Sequence, residues 1–215
     1  MITNADYRSR AVWLPPLAVM ALILLLALGG EAVRQALRFD RAAIEAGEWW
    51  RLLSGNLVHL GWWHLAVNEI GVFVLVLLCP EALSWSVWLR RLVLLGLGMS
   101  AGLYCFVPDA TWYVGLSGVM HGLFVLGLGR QIVAERDLIS AGCLAFLVAK
   151  VGWELAAGAP VSDEAAIGGK VLVESHLYGS LSALIYGLIF GAFWRPETFW
   201  RQKPEPASPS GKEPT

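Results

Sequence analysis

Apolar residues in this chain run in long, nearly unbroken stretches, with polar residues gathered between them. Neither the alternation of a half-buried strand nor the one-sided stripe of a soluble helix accounts for such runs. A hydrocarbon layer about 30 Å thick needs roughly 20 apolar residues in helical conformation. On that measure six spans are expected, at about 13–30, 62–78, 89–107, 116–133, 138–157 and 172–194, with Pro80 closing the second. The expected fold class is an all-α membrane protein, a six-transmembrane-helix bundle. One connection, 31–60, mixes charges with Trp49, Trp50, Leu52, Leu53 and Leu57, which suits a segment lying in the membrane interface. A cytoplasmic segment at 1–12 precedes the membrane domain at 13–200. A proline-rich tail at 201–215 follows and is expected to be disordered.

Composition agrees with that pattern. Of 215 residues, 57% are hydrophobic and 15% charged, with a mean hydropathy of +0.59, where soluble domains average about a quarter charged. Eleven tryptophans suit interfacial anchoring. A net charge of -1 removes the electrostatic case for nucleic-acid binding. With six spans, Arg8, Arg10, Arg90, Arg91, Arg130, Arg136, Arg195, Arg201, Lys203 and Lys212 fall on one side. That bias predicts cytoplasmic termini, against Arg34, Arg38, Arg41, Arg51 and Lys170 opposite. Span one, ending near Ala27-Leu28-Gly29, also has the outline of a signal peptide, but charge balance favours its retention. Cys79, Cys105 and Cys143 match no zinc or redox spacing and read as small core residues.

Polar side chains at membrane depth are costly, and each is a functional candidate. Ser117 sits between Gly115 and Gly118 at the start of the fourth span. Free backbone N–H groups and the positive dipole end converge at a helix start, and a tetrahedral oxyanion needs such donors. Gly118 and Gly122 also form a small-xxx-small pair, so helix packing and an active nucleophile are both open readings. His176 opens the sixth span beside a face built of Gly179, Ala183 and Gly187. If spans four and six pack there, Ser117 and His176 meet; otherwise His176 is a core histidine bonded to a carbonyl. His64 and Asn68 share one helix face at i,i+4, with His59 just ahead of them. They are either oxyanion donors or polar links between helices. Lys150 and Glu154, also i,i+4, read as a simple pair, Glu174 as a solvated charge at the entrance, and Glu69 as an interhelical hydrogen-bonding group. No HExxH occurs and no two histidines stand at i,i+4, so no metal site is expected.

These motifs, taken together, resemble the rhomboid family of intramembrane serine proteases. The segment His59-Leu60-Gly61-Trp62-Trp63-His64-Leu65-Ala66-Val67-Asn68 reproduces the family's HxxxxHxxxN spacing on the second helix. Gly115-Leu116-Ser117-Gly118 matches its GxSG element, His176 its sixth-helix histidine, and Trp50-Arg51 the Trp-Arg element of its first membrane-embedded loop. Gly115 through Gly122, with His121 where many members have a tyrosine, is similar to the rhombosortase branch. The resemblance implies a dyad without a carboxylate: Ser117 as nucleophile and His176 as base. His64, Asn68 and the Ser117 N–H would hold the oxyanion, with His59, Gly115, Gly118 and His121 in support. It also implies a water-filled cavity lined by 108–114, with the 157–170 loop as a lid. No cofactor is called for. The implied partners are membrane lipid and an exported transmembrane substrate with a GlyGly-type C-terminal tail, and the implied location is the bacterial inner membrane. The alternative is a non-catalytic rhomboid-like protein that binds transmembrane helices without cutting them.

Overall fold

The computed structural model describes residues 6–195 and Glu197. The 201–215 tail lies outside them, as do residues 1–5 of the N-terminal segment. Six long helices stand at the expected places: α1 (Arg10–Leu28), α5 (Trp62–Leu78), α6 (Trp85–Phe106), α7 (Ser117–Glu135), α8 (Leu138–Ala157) and α10 (Glu174–Phe190). Short elements fill the connections: α2 (Gly30–Leu37), α3 (Arg41–Glu45), α4 (Arg51–Ser54) and α9 (Glu164–Ile167). Two short strands amend the all-helical expectation. β1 (Phe39–Asp40) pairs antiparallel with β2 (Trp112–Tyr113), in the register Phe39 to Tyr113 and Asp40 to Trp112.

Local chemistry sets the helix ends. The Ser84 hydroxyl accepts from the Val87 N–H, and the Asp137 carboxylate accepts from the Ser140 N–H, satisfying first-turn donors. The Ser84 cap starts α6 four residues earlier than hydropathy alone predicts. Arg90 and Arg91 therefore lie in the second turn of the helix and not at its first residues. The charges are tolerated because Arg91 pairs with Glu81 at 2.6 Å and with Glu197. Similarly, α1 begins at Arg10 and takes Pro15 and Pro16 into its interior, and Gly191, at φ 68°, closes α10 before 194.

α7 runs through the middle, touching α5, α6, α8 and α10. Its Val119, Leu123 and Leu126 join Val19 and Ile23 of α1, Leu65, Val72 and Leu75 of α5, and Ala183 of α10 in one core. Outside that core the usual order is inverted. Leu25, Ile70, Phe146 and Ile189 are each more than 60% exposed, the surface expected where lipid replaces water. Cys105 belongs to this exterior, which corrects its expected place in the core, while Cys79 is buried.

Among the described residues, α1, α6 and α8 are each long and apolar enough to cross a membrane. The Arg51–Leu57 segment and α5, bent by 89° at their junction, form a further broken span or re-entrant loop. The fold is that of a multi-pass membrane protein.

The 31–60 connection is not a loose loop. The Arg41 guanidinium donates to the carbonyls of Leu103, Tyr104, Val107 and Ala110, at 2.9–3.2 Å. It thereby satisfies the open carbonyl end of α6. Arg51 donates to the carbonyls of Gln35 and Arg38 and pairs with Glu48.

Candidate active site

Ser117 is the first residue of α7, and the chain delivering it is held at three points. β2 is paired to β1, the Gly115 N–H donates to the Gly55 carbonyl at 3.1 Å, and the Tyr113 hydroxyl donates to the Gly115 carbonyl at 2.7 Å. Gly115 has φ 123°, a conformation open to glycine, and a Cβ there would stand 2.8 Å from the His64 ring. That glycine thus lets the turn into α7 pass directly against His64.

His176 is brought to Ser117 by close backbone packing of α7 against α10. A Cβ on Gly118 would lie 2.8 Å from the Ser175 carbonyl, one on Gly122 2.6 Å from the Gly179 carbonyl, and one on Gly179 against the Gly118 carbonyl. Packing and chemistry are therefore one feature, since the glycines that let the helices touch also set the serine beside the histidine. Gly187 departs from the expected face and meets the Phe193 ring instead, because the chain folds back at Gly191. The result is a distance of 3.2 Å from His176 Nε2 to Ser117 Oγ.

The far side of His176 holds what the sequence did not lead one to expect. His176 Nδ1 lies 2.8 Å from Glu154 Oε2, so the imidazole has a carboxylate partner. The same oxygen accepts from Lys150 Nζ at 2.8 Å, and the other, Oε1, accepts from the Val161 N–H at 3.1 Å. Lys150 Nζ also donates to His121 Nε2 at 3.0 Å, and His121 Nδ1–H donates to the Ser117 carbonyl at 2.7 Å. The His121 and His176 rings stack with centroids 4.0 Å apart. These bonds define the tautomers. His121 carries its proton on Nδ1 and His176 carries its own on Nδ1 towards Glu154, leaving the Nε2 lone pair facing the Ser117 hydroxyl. Neither His121 nitrogen faces Oγ.

His121, Glu154 and His176 offer ligand atoms within 4.8 Å of one another. The Lys150 ammonium is bonded among them, so a metal ion would have to displace that resident cation.

On the opposite side, a cavity of about 120 Å³ is lined by Ser117, His64, Leu60, Asp109–Val114 and Lys170–Leu172. His64 Nδ1 accepts from the Leu60 N–H at 3.3 Å, which leaves the proton on Nε2, the ring atom beside Gly115. The Asn68 amide donates to the His64 carbonyl at 2.8 Å, and its buried Oδ1 has no hydrogen-bond partner. His59 is buried and meets His64 edge-on at 5.1 Å.

Ser117, His176, His121 and His64 thus come together, and Asn68 and His59 stand behind His64. The sequence reads Glu154 and Lys150 as a pair; the structure adds their contact with both histidines. Their charge in an apolar helix was the only advance signal.

The Rhomboid domain family matches residues 46–193 of the chain. A protein of Bacillus subtilis (strain 168) named "Putative rhomboid protease YdcA" is 35% identical over 110 residues, covering 47% of this chain and 54% of that protein. The chain spans about half the length of the curated relative it matches. The family match takes in Ser117, His176 and all four helices packed on α7, over more than half of the 215 residues. The chain belongs to the rhomboid family.

Proposed function

We propose that the protein is an intramembrane serine endopeptidase. Ser117 Oγ attacks the scissile carbonyl while His176 Nε2 takes the hydroxyl proton, and His176 returns that proton to the leaving amine. Water then hydrolyses the acyl-enzyme with His176 again as base. The single observation carrying this reading is the 3.2 Å contact between Ser117 Oγ and His176 Nε2, at the wall of a cavity that includes Ser117. A hydroxyl and an imidazole in hydrogen-bond reach are the parts that activate a serine. The oxyanion is held by His64 Nε2–H and the Ser117 N–H, with the Asn68 amide, bonded to the His64 carbonyl, supporting His64 from behind.

The substrate is an exported protein with a C-terminal transmembrane tail of the GlyGly type. The cavity beside Ser117, at about 120 Å³, suits residues without large side chains, and the Gly115–Gly122 motif supports the same branch. The enzyme crosses the bacterial inner membrane six times with both termini in the cytoplasm, and lipid surrounds its apolar exterior.

The test is co-expression of a tagged GlyGly-tailed substrate with wild type and with Ser117→Ala. The expected result is a product in wild type that is absent from Ser117→Ala. Equal cleavage by Ser117→Ala would overturn the serine mechanism, and a tail that co-purifies uncut with wild type would favour the binding-only alternative.

A further inference from the structure

Glu154 has a contact set that a helical ion pair does not require. An i,i+4 pair on α8 is complete once Lys150 Nζ reaches Oε2 at 2.8 Å. Here the same Oε2 also accepts from His176 Nδ1–H at 2.8 Å, and Oε1 is held by the Val161 N–H at 3.1 Å. The side chain is 1% exposed. Three of its roughly four acceptor directions are occupied, from three separate positions, which fixes its rotamer against the imidazole.

We infer that Glu154 is a positioning residue of the catalytic machinery, acting through His176, with Lys150 as the cation that balances its charge. This rests on the serine-protease reading above and extends it from two residues to a relay, Ser117–His176–Glu154–Lys150. Glu154 keeps the His176 proton on Nδ1, so that the Nε2 lone pair faces Ser117 Oγ. When Nε2 takes the serine proton, the imidazolium forms 2.8 Å from a carboxylate. The Nδ1 proton stays on the ring and Glu154 is never protonated. The serine proton leaves on the departing amine, and the relay returns to its starting state.

Lys150 limits the opposite error. A buried carboxylate alone beside His176 would favour a permanent imidazolium, which is no base. The ammonium, bonded to Glu154 and to His121 Nε2 and 3.3 Å from His176 Nδ1, offsets that charge. The charged and titratable groups acting on His176 are His64 from α5, His121 from α7, Lys150 and Glu154 from α8, and Glu174 on its own helix.

The experiment uses the full chain in detergent, with two readouts over a range of pH. One is the labelling rate of Ser117 by a fluorophosphonate, and the other is kcat and KM on the tagged GlyGly-tailed substrate. Glu154→Gln presents an amide that can donate to Nδ1 and turn the ring's proton towards Ser117. A fall of about 10²-fold or more in labelling and kcat is expected at every pH. KM should stay within about twofold, because Glu154 does not line the cavity. Lys150→Met leaves the carboxylate beside His176 and is expected to lose activity at neutral pH and regain it at alkaline pH. A purely structural pair would make the two variants alike in pH dependence. Should Glu154→Gln not fold by thermal melt, Glu154→Asp, whose shorter side chain withdraws the acceptor, carries the test with a fall of at least about tenfold. Wild-type rates in either folded Glu154 variant, or matching profiles for Glu154→Gln and Lys150→Met, would overturn the inference. Ser117→Ala in the same assays separates the two readings: activity surviving there sinks the serine mechanism itself.

Discussion

The imidazole of His121 stacks on that of His176, with centroids 4.0 Å apart and 15° between the planes. His121 is thereby a wall for the general base and not a rival to it, since its Nδ1 is bonded to the Ser117 carbonyl and its Nε2 to Lys150. Two contributions separate by substitution. His121→Ala removes the wall and the Lys150 acceptor, and kcat is expected to fall by about tenfold or more, which is about 1.4 kcal/mol in the barrier. His121→Phe restores the wall only and is expected to fall between alanine and wild type. A phenylalanine variant no better than alanine in steady-state cleavage would assign the effect to the hydrogen bonds instead.

The approach of α7 to α10 leaves no space for a methyl group. Gly179→Ala would drive a Cβ into the Gly118 carbonyl. Overpacking of this kind costs about 1–3 kcal/mol, and it separates the two helices that carry Ser117 and His176. A lowered thermal midpoint together with slowed fluorophosphonate labelling is expected. Gly152→Ala on α8, where nothing lies within 4 Å of the added carbon, is the control and should leave both within error of wild type.

The places of the long helices were legible in the chain because they rest on local patterns, whereas the meeting of Ser117 with His176 was legible only on the condition that spans four and six pack, and through the rhomboid resemblance. Apolar runs mark spans, and the Gly118, Gly122 and Gly179 spacing marks the surfaces that touch. The Glu154 contact was not legible. It depends on how α8 is rotated against α7 and α10, and Lys150 four residues away already offered Glu154 a sufficient partner. Arg41 was hidden for a related reason. Its four carbonyl partners lie more than 60 positions away, and backbone acceptors leave no trace in side-chain identity. Hydropathy placed the start of α6 too late because a capping residue leaves little mark on it: Ser84 begins the helix at Trp85, a turn ahead of the apolar run.

Arg41 fastens the 31–60 connection to the end of α6. In Arg41→Ala four carbonyls lose a charged donor, where each such bond contributes about 1.5–3 kcal/mol at most and the set does not add in full. A fall in the thermal midpoint is expected, with faster hydrogen exchange in β2, whose Thr111 neighbour accepts from the Arg41 N–H. Arg41→Lys supplies one flexible ammonium in place of a planar fork and should recover only part of the loss. A lysine variant as stable as wild type would show that charge alone, without the fork, caps the helix.

On the other side of the bundle, Glu197 gathers Arg90 at 2.7 Å, Arg91 and the Tyr186 hydroxyl at 2.5 Å. Burial pushes its carboxyl up, but Arg91, Tyr186 and Arg90 outweigh that and hold it below the ordinary value of 4.5. The sign follows from linkage. A carboxyl that binds its proton less readily when folded adds stability that is complete above 4.5 and is lost as pH falls through the lower folded value. Wild type in detergent should therefore keep a level thermal midpoint from neutral pH down to that region and drop below it. Glu197→Gln removes the titrating group and leaves Arg91, 2% exposed, with Glu81 alone. A buried charge left with no partner costs about 3–5 kcal/mol, and Arg91 with Glu81 remaining should lose less than that, so the variant's midpoint should be lower at neutral pH and decline less steeply in acid. If both proteins decline in parallel, the acid sensitivity belongs to other carboxylates, and Glu197 holds α6 and α10 together without setting the pH response.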